Sequence, residues 1–145
     1  MNAPRPRPAV TDDNAPFWSA IRDHELSLPC CNECRKTYLP PAPVCPFCLS
    51  LDVGWRKASG KGVLNAWTRV HRPFLKSFAD DVPYIVAQVE LEEGPRIITN
   101  LVGLQPDEEP RIGMKVQAIF QAVDELLELV QFKPIQPVAD ASDGG

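Results

Sequence analysis

Alternating apolar and polar positions predict β-strands over most of the chain beyond residue 60. Tyr84–Leu91 and Lys115–Ala122 alternate so that every second side chain lies on one face. Further strand patterns occur at Gly62–His71, Arg96–Leu101 and Leu126–Phe132. Five strands separated by turn residues favour a small barrel or sandwich, and a five-stranded OB-fold barrel fits their number and length. A β-sandwich of the same strands is the alternative.

The N-terminal part shows a helical pattern instead. Asp13 or Asn14 can cap a helix, and Phe17 and Ile21 lie one turn apart on the same face. We therefore expect an N-terminal helix within residues 12–29, and the protein as a whole is predicted to be mainly β.

The chain of 145 residues has the composition of a globular protein, and we expect it to divide into five segments. Hydrophobic residues make up 44% and charged residues 23%, which is typical of a globular protein. No apolar run approaches the roughly 18 residues of a membrane helix or resembles a secretory signal, so a cytoplasmic protein is expected. The expected segments are a disordered tail at 1–11, the helix at 12–29, a cysteine-rich segment at 30–58, the barrel at 59–134 and a disordered tail at 135–145.

The cysteine spacing predicts a metal site. Two C-x-x-C pairs separated by ten residues are typical of a rubredoxin-like zinc ribbon, which we expect at 30–58. Four thiolates leave zinc no open position, so the zinc is expected to be structural, and iron in the same cage is the alternative. Cys30 is the spare thiol, because the spacing favours Cys31. The predicted ligands are Cys31, Cys34, Cys45 and Cys48.

Two details of the ribbon can be tested against the structure. Tyr38–Pro41 and Val53–Ala58 are expected to supply its strands. Zinc knuckles often carry glycine directly after the second cysteine, where the backbone needs a positive φ. Here those positions are Arg35 and Leu49.

The net charge of −4 conceals a basic segment at residues 53–79, which contains six basic residues and no acidic one. Bases interleaved with aromatic residues on a barrel suit single-stranded nucleic acid, and they equally suit a phosphorylated nucleotide cofactor such as coenzyme A. The alternative is a solvated edge with Trp67 in the core. His71–Phe78 is predicted to be an interaction loop. The candidate binding residues are Trp67, Arg69, His71, Arg72, Phe74, Lys76 and Phe78.

No group of residues forms a recognisable catalytic set. The sequence has neither a nucleophile-elbow motif nor a glycine-rich phosphate loop. We therefore do not expect the chain to be an enzyme on its own.

The order of these motifs from residue 14 to 134 resembles the acyl-CoA-associated zinc-ribbon plus OB-fold family, long called domain of unknown function thirty-five. Trp55, the Ser59–Gly62 turn, Ala66–His71, Pro83–Ala87 and Ile112–Val116 follow the cysteine pairs in the family's order. The chain departs from the family in lacking glycine after Cys34 and Cys48.

The resemblance implies a function that composition does not. Members of this family are accessory subunits that bind thiolase-superfamily enzymes, stabilise them and help to form the acyl-CoA channel, while the partner carries the catalytic residues. We thus expect a hetero-oligomer built on a partner dimer, with a coenzyme A thioester as the substrate of the complex and no membrane association. The alternative is a single-stranded nucleic-acid-binding module, which the acidic pI of about 5.1 disfavours.

Overall fold

The structure, a computed structural model, describes residues 8–73, 76, 80, 82–105, 107–123 and 127–135. It confirms the predicted architecture of an N-terminal helix, a four-cysteine ribbon and a closed five-stranded barrel. Most of both predicted tails, 1–11 and 135–145, lies outside the described residues.

Helix α1 spans Ala15–Arg22 and is shorter than the expected segment. Asn14 occupies the N-cap position, but its side chain bonds backwards to Thr11 and Ala9. The helix ends because His24 adopts a positive φ of 61° and the chain turns into an extended segment. Ile21 is fully buried, so one face of α1 packs onto the protein.

The ribbon sheet pairs β1, Ser27–Cys31, with β2, Val53–Lys57, in antiparallel register. The prediction that Tyr38–Pro41 supplies one of its strands is wrong. No strand spans residues 38–41, and the preceding residue, Thr37, forms an isolated bridge with Cys30. Consecutive prolines at 40 and 41 lack the N–H groups that a longer ladder would require.

The barrel consists of β3 (Lys61–Val70), β4 (Tyr84–Leu91), β5 (Arg96–Leu101), β6 (Lys115–Ala122) and β7 (Glu128–Pro134). The strand order is β3-β4-β5-β7-β6, and β6 pairs with β3 to close the barrel. The last strand begins two residues later than predicted, and residue 126 lies outside the described part of the chain.

A single hydrophobic core lies inside the barrel and continues into the ribbon. β4 alternates as predicted, and the apolar side chain at every second position is buried. β6 does so only in part, because Val116 is buried whereas Ala122 is exposed. Leu26 and Leu28 of the ribbon side join the barrel residues in a single cluster, so the two parts share one core.

Polar contacts reinforce this junction. The Thr37 hydroxyl donates to the Glu93 carbonyl at 2.9 Å, and the Ser59 N–H donates to the Glu93 carboxylate at 2.8 Å. The Ala58 N–H also donates to the Leu26 carbonyl at 2.7 Å. Glu93, in the turn between β4 and β5, thereby ties the ribbon to the barrel.

Candidate functional site

The four predicted ligand cysteines converge at one point of the ribbon. Their sulfur atoms all lie within 4.8 Å of one another. Cys31 Sγ is 3.5 Å from Cys48 Sγ, and Cys34 Sγ is 3.6 Å from Cys45 Sγ. Zinc–sulfur bonds of about 2.3 Å in a tetrahedron require sulfur–sulfur edges of roughly 3.8 Å. The residues present therefore fit a four-thiolate zinc, and the rubredoxin-like geometry supports a structural metal.

Backbone amides of the first knuckle are aimed at its first sulfur. The Cys34 and Glu33 N–H groups donate to Cys31 Sγ at 3.4 and 3.3 Å. The Cys34 amide is the largest influence that lowers the pKa of Cys31 to about 6, and the Glu33 amide contributes in the same direction. Such donors stabilise the thiolate, which is the form that binds metal.

The same donation recurs at the second knuckle, where the Phe47 N–H donates to Cys45 Sγ at 3.4 Å. Burial raises the pKa of Cys45, but the amides of Cys48 and Phe47, together with the Cys34 and Cys48 side chains, lower it, and the net shift is downwards. In each knuckle, backbone amides thus favour the thiolate form of one cysteine, which is the form that binds a metal cation.

Cys30 lies outside this group. Its sulfur is 3.8 Å from the carbonyl oxygens of Cys31 and Arg35, and its neighbour Cys31 joins the cluster instead. Adjacent residues of a strand face opposite sides, so Cys30 and Cys31 cannot both point to the metal.

The predicted basic and aromatic residues are only partly brought together. The Arg69 guanidinium lies over the Trp67 ring, 5.4 Å from its centroid, and pairs with Glu109 at 3.2 Å. His71, Arg72 and Lys76 are exposed beyond the end of β3. Phe74 and Phe78 lie outside the described residues.

Barrel closure creates a cavity that the sequence did not predict. Its volume is about 710 Å³, and all five barrel strands contribute to its lining. Arg69, Asn100, Phe120 and Gln131 are among the lining residues. Of these, the sequence had singled out Arg69 alone. The other three are far apart in sequence and follow no motif, so only the strand pairing could have identified them.

A histidine outside the predicted set joins α1 to the barrel. His24 Nε2 is 2.6 Å from a Glu128 carboxylate oxygen, and its ring stacks on Phe120 at a centroid distance of 5.3 Å. Phe120 also lines the cavity, so this contact fixes one of its walls.

Within the described residues, no helix is long and apolar enough to cross a membrane.

Two known domain families match consecutive parts of the chain, and the boundary between the two matches falls within β2. Residues 18–54 match the family described as ChsH2, rubredoxin-like zinc ribbon domain. Residues 55–121 match the family described as ChsH2, C-terminal OB-fold domain.

Individual relatives extend the match. A probable enoyl-CoA hydratase alpha subunit of Thermomonospora curvata is 40% identical over 92% of this chain, which spans only 41% of that protein. A DUF35 domain-containing scaffold protein of Methanocaldococcus jannaschii is 36% identical over 73% of this chain and 79% of its own length. A chain of the solved Ltp2-ChsH2(DUF35) aldolase superposes with a TM-score of 0.79 and 39% identity, covering 88% of this chain and 98% of that one.

Proposed function

Since the chain belongs to the DUF35 family of zinc-ribbon and OB-fold proteins, we propose that it is a non-catalytic accessory subunit of an enzyme complex acting on acyl-CoA. The observation that carries the proposal is the 39% identity, across nearly the whole described fold, to a chain of the Ltp2-ChsH2(DUF35) aldolase. Relatives named as a hydratase subunit and as a scaffold protein support the same role.

The partner in this proposal is a thiolase-superfamily enzyme that supplies the catalytic residues. The complex would carry out thiolytic or retro-aldol carbon–carbon cleavage, or acyl transfer, on a coenzyme A thioester. The accessory chain would stabilise the partner and form part of the acyl-CoA channel. A metal held by Cys31, Cys34, Cys45 and Cys48 has no position left for substrate, so in this proposal its role is to fix the ribbon.

Residues 67–78 of the basic segment are the part of the chain that we assign to the channel. His71, Arg72 and Lys76 are exposed at one end of β3, and Arg69 precedes them on the same strand. Positive side chains at this point suit the phosphates of coenzyme A. Phe74 and Phe78 of the same loop are proposed to contact the partner, with Trp67 beneath Arg69.

Association with the Ltp2 component of the solved aldolase tests the proposal. The two chains are co-expressed, and the molar mass of the product is measured by size exclusion with light scattering. We expect one species that contains both chains. A single-stranded oligonucleotide serves as the competing ligand. Separate elution of the two chains, or oligonucleotide binding in place of Ltp2 binding, would contradict the proposed role.

A further inference from the structure

We propose that Cys48 is an oxidation site, at which peroxides open the four-cysteine cluster by joining Cys48 to Cys31 as a disulfide and so release the bound metal. This site would make the ribbon respond to oxidants, a property separate from the proposed association with a partner enzyme. The inference rests on the unequal exposure of the four cysteines, on the spacing of their sulfurs and on the way each knuckle is attached to the fold.

Cys48 is the exposed member of the cluster. Cys31 and Cys45 are fully buried and Cys34 is half-buried. The residue before Cys48, Phe47, is 57% exposed as well. Oxidation of a cysteine depends on its thiolate character and its exposure, and a thiol that ligates a metal ion is held as the thiolate. Cys48 is therefore the ligand that an oxidant in the solvent reaches first.

The second knuckle, residues 45–49, has fewer attachments to the fold than the first knuckle, residues 31–35. Cys31 belongs to β1 and pairs with Val53 of β2. Asn32 bonds to Asp52 through its backbone N–H at 2.9 Å and through its side-chain amide at 3.0 Å. In the part of the chain that the structure describes, the backbone N–H groups of the second knuckle donate only within residues 45–50. The second knuckle can therefore move towards Cys31 without breaking a strand.

A basic side chain lies beside this exposed corner of the cluster. Lys36 Nζ is 4.8 Å from the centroid of the Phe47 ring, and Arg35 is exposed next to it. Reactive cysteines are typically found in electropositive, partly exposed surroundings, because positive charge stabilises the thiolate. The surroundings of Cys48 are of this kind.

The oxidation is balanced with hydrogen peroxide as the oxidant. The Cys48 thiolate attacks one peroxide oxygen, which breaks the O–O bond, forms a sulfenic acid at Cys48 and releases hydroxide. The Cys31 thiolate then attacks the Cys48 sulfur, which forms the disulfide and releases a second hydroxide. The two sulfurs give up two electrons in total, and the peroxide takes them up.

The geometry favours Cys31 as the second sulfur. Cys31 Sγ is 3.5 Å from Cys48 Sγ, so a small displacement of the second knuckle brings the two sulfurs to bonding distance. A structural metal that loses two of its four ligands is no longer held in a closed site. The disulfide would join the same two knuckles that the metal joins, so the oxidised ribbon is expected to stay closed and to recover its metal after reduction.

Release of zinc from the zinc-loaded full chain tests this inference. All samples carry Cys30→Ser, which removes the thiol outside the cluster. Hydrogen peroxide is added in excess, and a colorimetric chelator measures the released metal. We expect complete release, and dithiothreitol with added zinc should restore the metal content.

Peptide mapping of the oxidised chain identifies the disulfide. Trypsin cleaves after Arg35 and Lys36, between the two knuckles. A disulfide between the knuckles therefore joins two peptides, whereas a disulfide within one C-x-x-C pair lies in a single peptide. Fragmentation of the joined peptides should show Cys31 bound to Cys48.

Two histidine variants distinguish Cys48 from the equivalent ligand of the first knuckle. Histidine can replace one cysteine as a zinc ligand, and it cannot form a disulfide. Cys48→His should release zinc about tenfold more slowly than the parent, because the exposed thiolate is gone. Cys34→His is the matched control, since it keeps both Cys31 and Cys48, and it should release zinc at about the rate of the parent.

If either variant fails to bind zinc, limiting N-ethylmaleimide on the zinc-loaded Cys30→Ser chain replaces that comparison, and Cys48 should be the first ligand alkylated. The inference is overturned if peroxide leaves the zinc bound, or if the first disulfide does not join Cys31 to Cys48. It is also overturned if both histidine variants release zinc at the same rate, or if another ligand is alkylated first. Association with Ltp2 is measured separately, so its failure would contradict the proposed function alone.

Discussion

Arg35 and Leu49 occupy equivalent positions in the two zinc knuckles, and both have a left-handed backbone, with φ of 67° and 66°. Each follows the second cysteine of its pair, where glycine is the usual residue. The N–H groups of both residues donate to the carbonyl of the first cysteine in the pair, at 2.9 Å. The knuckle geometry is thus kept without glycine, at a conformational cost.

Leu49→Gly should relieve that cost. The left-handed conformation costs a leucine about 1–2 kcal/mol. Glycine removes this cost, but its greater conformational freedom in the unfolded state offsets part of the gain in stability. Leu49 is 74% exposed, so little packing is lost. We expect the free energy of unfolding to rise by about 0.5–1 kcal/mol in a denaturant titration. Glu33→Gly, at an exposed position without positive φ, is the control and should lower it. A Leu49→Gly variant less stable than the parent would contradict this account.

Metal removal should affect the ribbon first. The account predicts one zinc per chain by elemental analysis, and Cys45→Ser should abolish stoichiometric binding. Metal binding contributes of order 10 kcal/mol to folding in small zinc-finger peptides, so the ribbon should lose its order without it. Because Leu26 and Leu28 belong to the shared core, the barrel's melting temperature should fall as well.

Cys30→Ser is the matched control for that experiment, and it should retain full metal content. Iron in place of zinc would leave the four-thiolate site intact but change the metal assignment. Well under one metal per parent chain, in protein prepared without chelators, would reject the site.

Gly62→Ala should destabilise the barrel. A Cβ at this position would lie 2.5 Å from the Glu90 carbonyl oxygen and 2.8 Å from Val89 Cγ1, where β3 passes closely over β4. Overpacking of this kind costs about 1–3 kcal/mol. Gly54→Ala is the control, since its nearest neighbour would be an Asn32 side chain at 3.5 Å. Equal melting temperatures for the two variants would contradict this prediction, because they would show that β3 and β4 can move apart without loss of stability.

The basic loop should act on substrate affinity within the complex. Truncating Arg72 and Lys76 to alanine should raise the apparent KM for acyl-CoA about tenfold or more, with a smaller change in kcat, because phosphate contacts bind the ground state and the transition state alike. Lys57→Ala, which removes an exposed pair with Glu25 on the ribbon, is the control. Unchanged kinetics in the double variant would place the loop outside the channel.

The apolar half of the same loop should act on assembly instead. Phe74→Ser and Phe78→Ser are expected to weaken association with the partner, since apolar anchors dominate interface energetics. Light scattering over a dilution series measures the change. Association indistinguishable from that of the parent would remove both residues from the interface.

The sequence predicted those features that repeat at short range. Alternation gave β4 and β6 their observed bounds, and the C-x-x-C spacing identified the residues whose sulfurs converge. The length of the helix was overestimated because residues 23–29 carry no strong stop signal before Pro29. The chain instead turns at His24, and β1 then pairs with β2.

Tertiary contacts account for what the sequence could not predict. Tyr38 was expected in a strand, but its ring is buried beside Cys31 and Cys45 and its hydroxyl bonds to Ala42. The Arg69–Glu109 pair joins residues forty positions apart, which no local sequence pattern encodes.

Turnover by the Ltp2 component of the aldolase, measured with and without this chain, tests the central claim most directly. The substrate is a β-hydroxyacyl-CoA suited to retro-aldol cleavage, and the three samples are Ltp2 alone, this chain alone and the co-expressed pair. The account predicts cleavage by the pair at a rate well above that of Ltp2 alone, and none by this chain alone. Cleavage by the isolated chain, or a pair no faster than Ltp2 alone, would contradict its role as an accessory subunit.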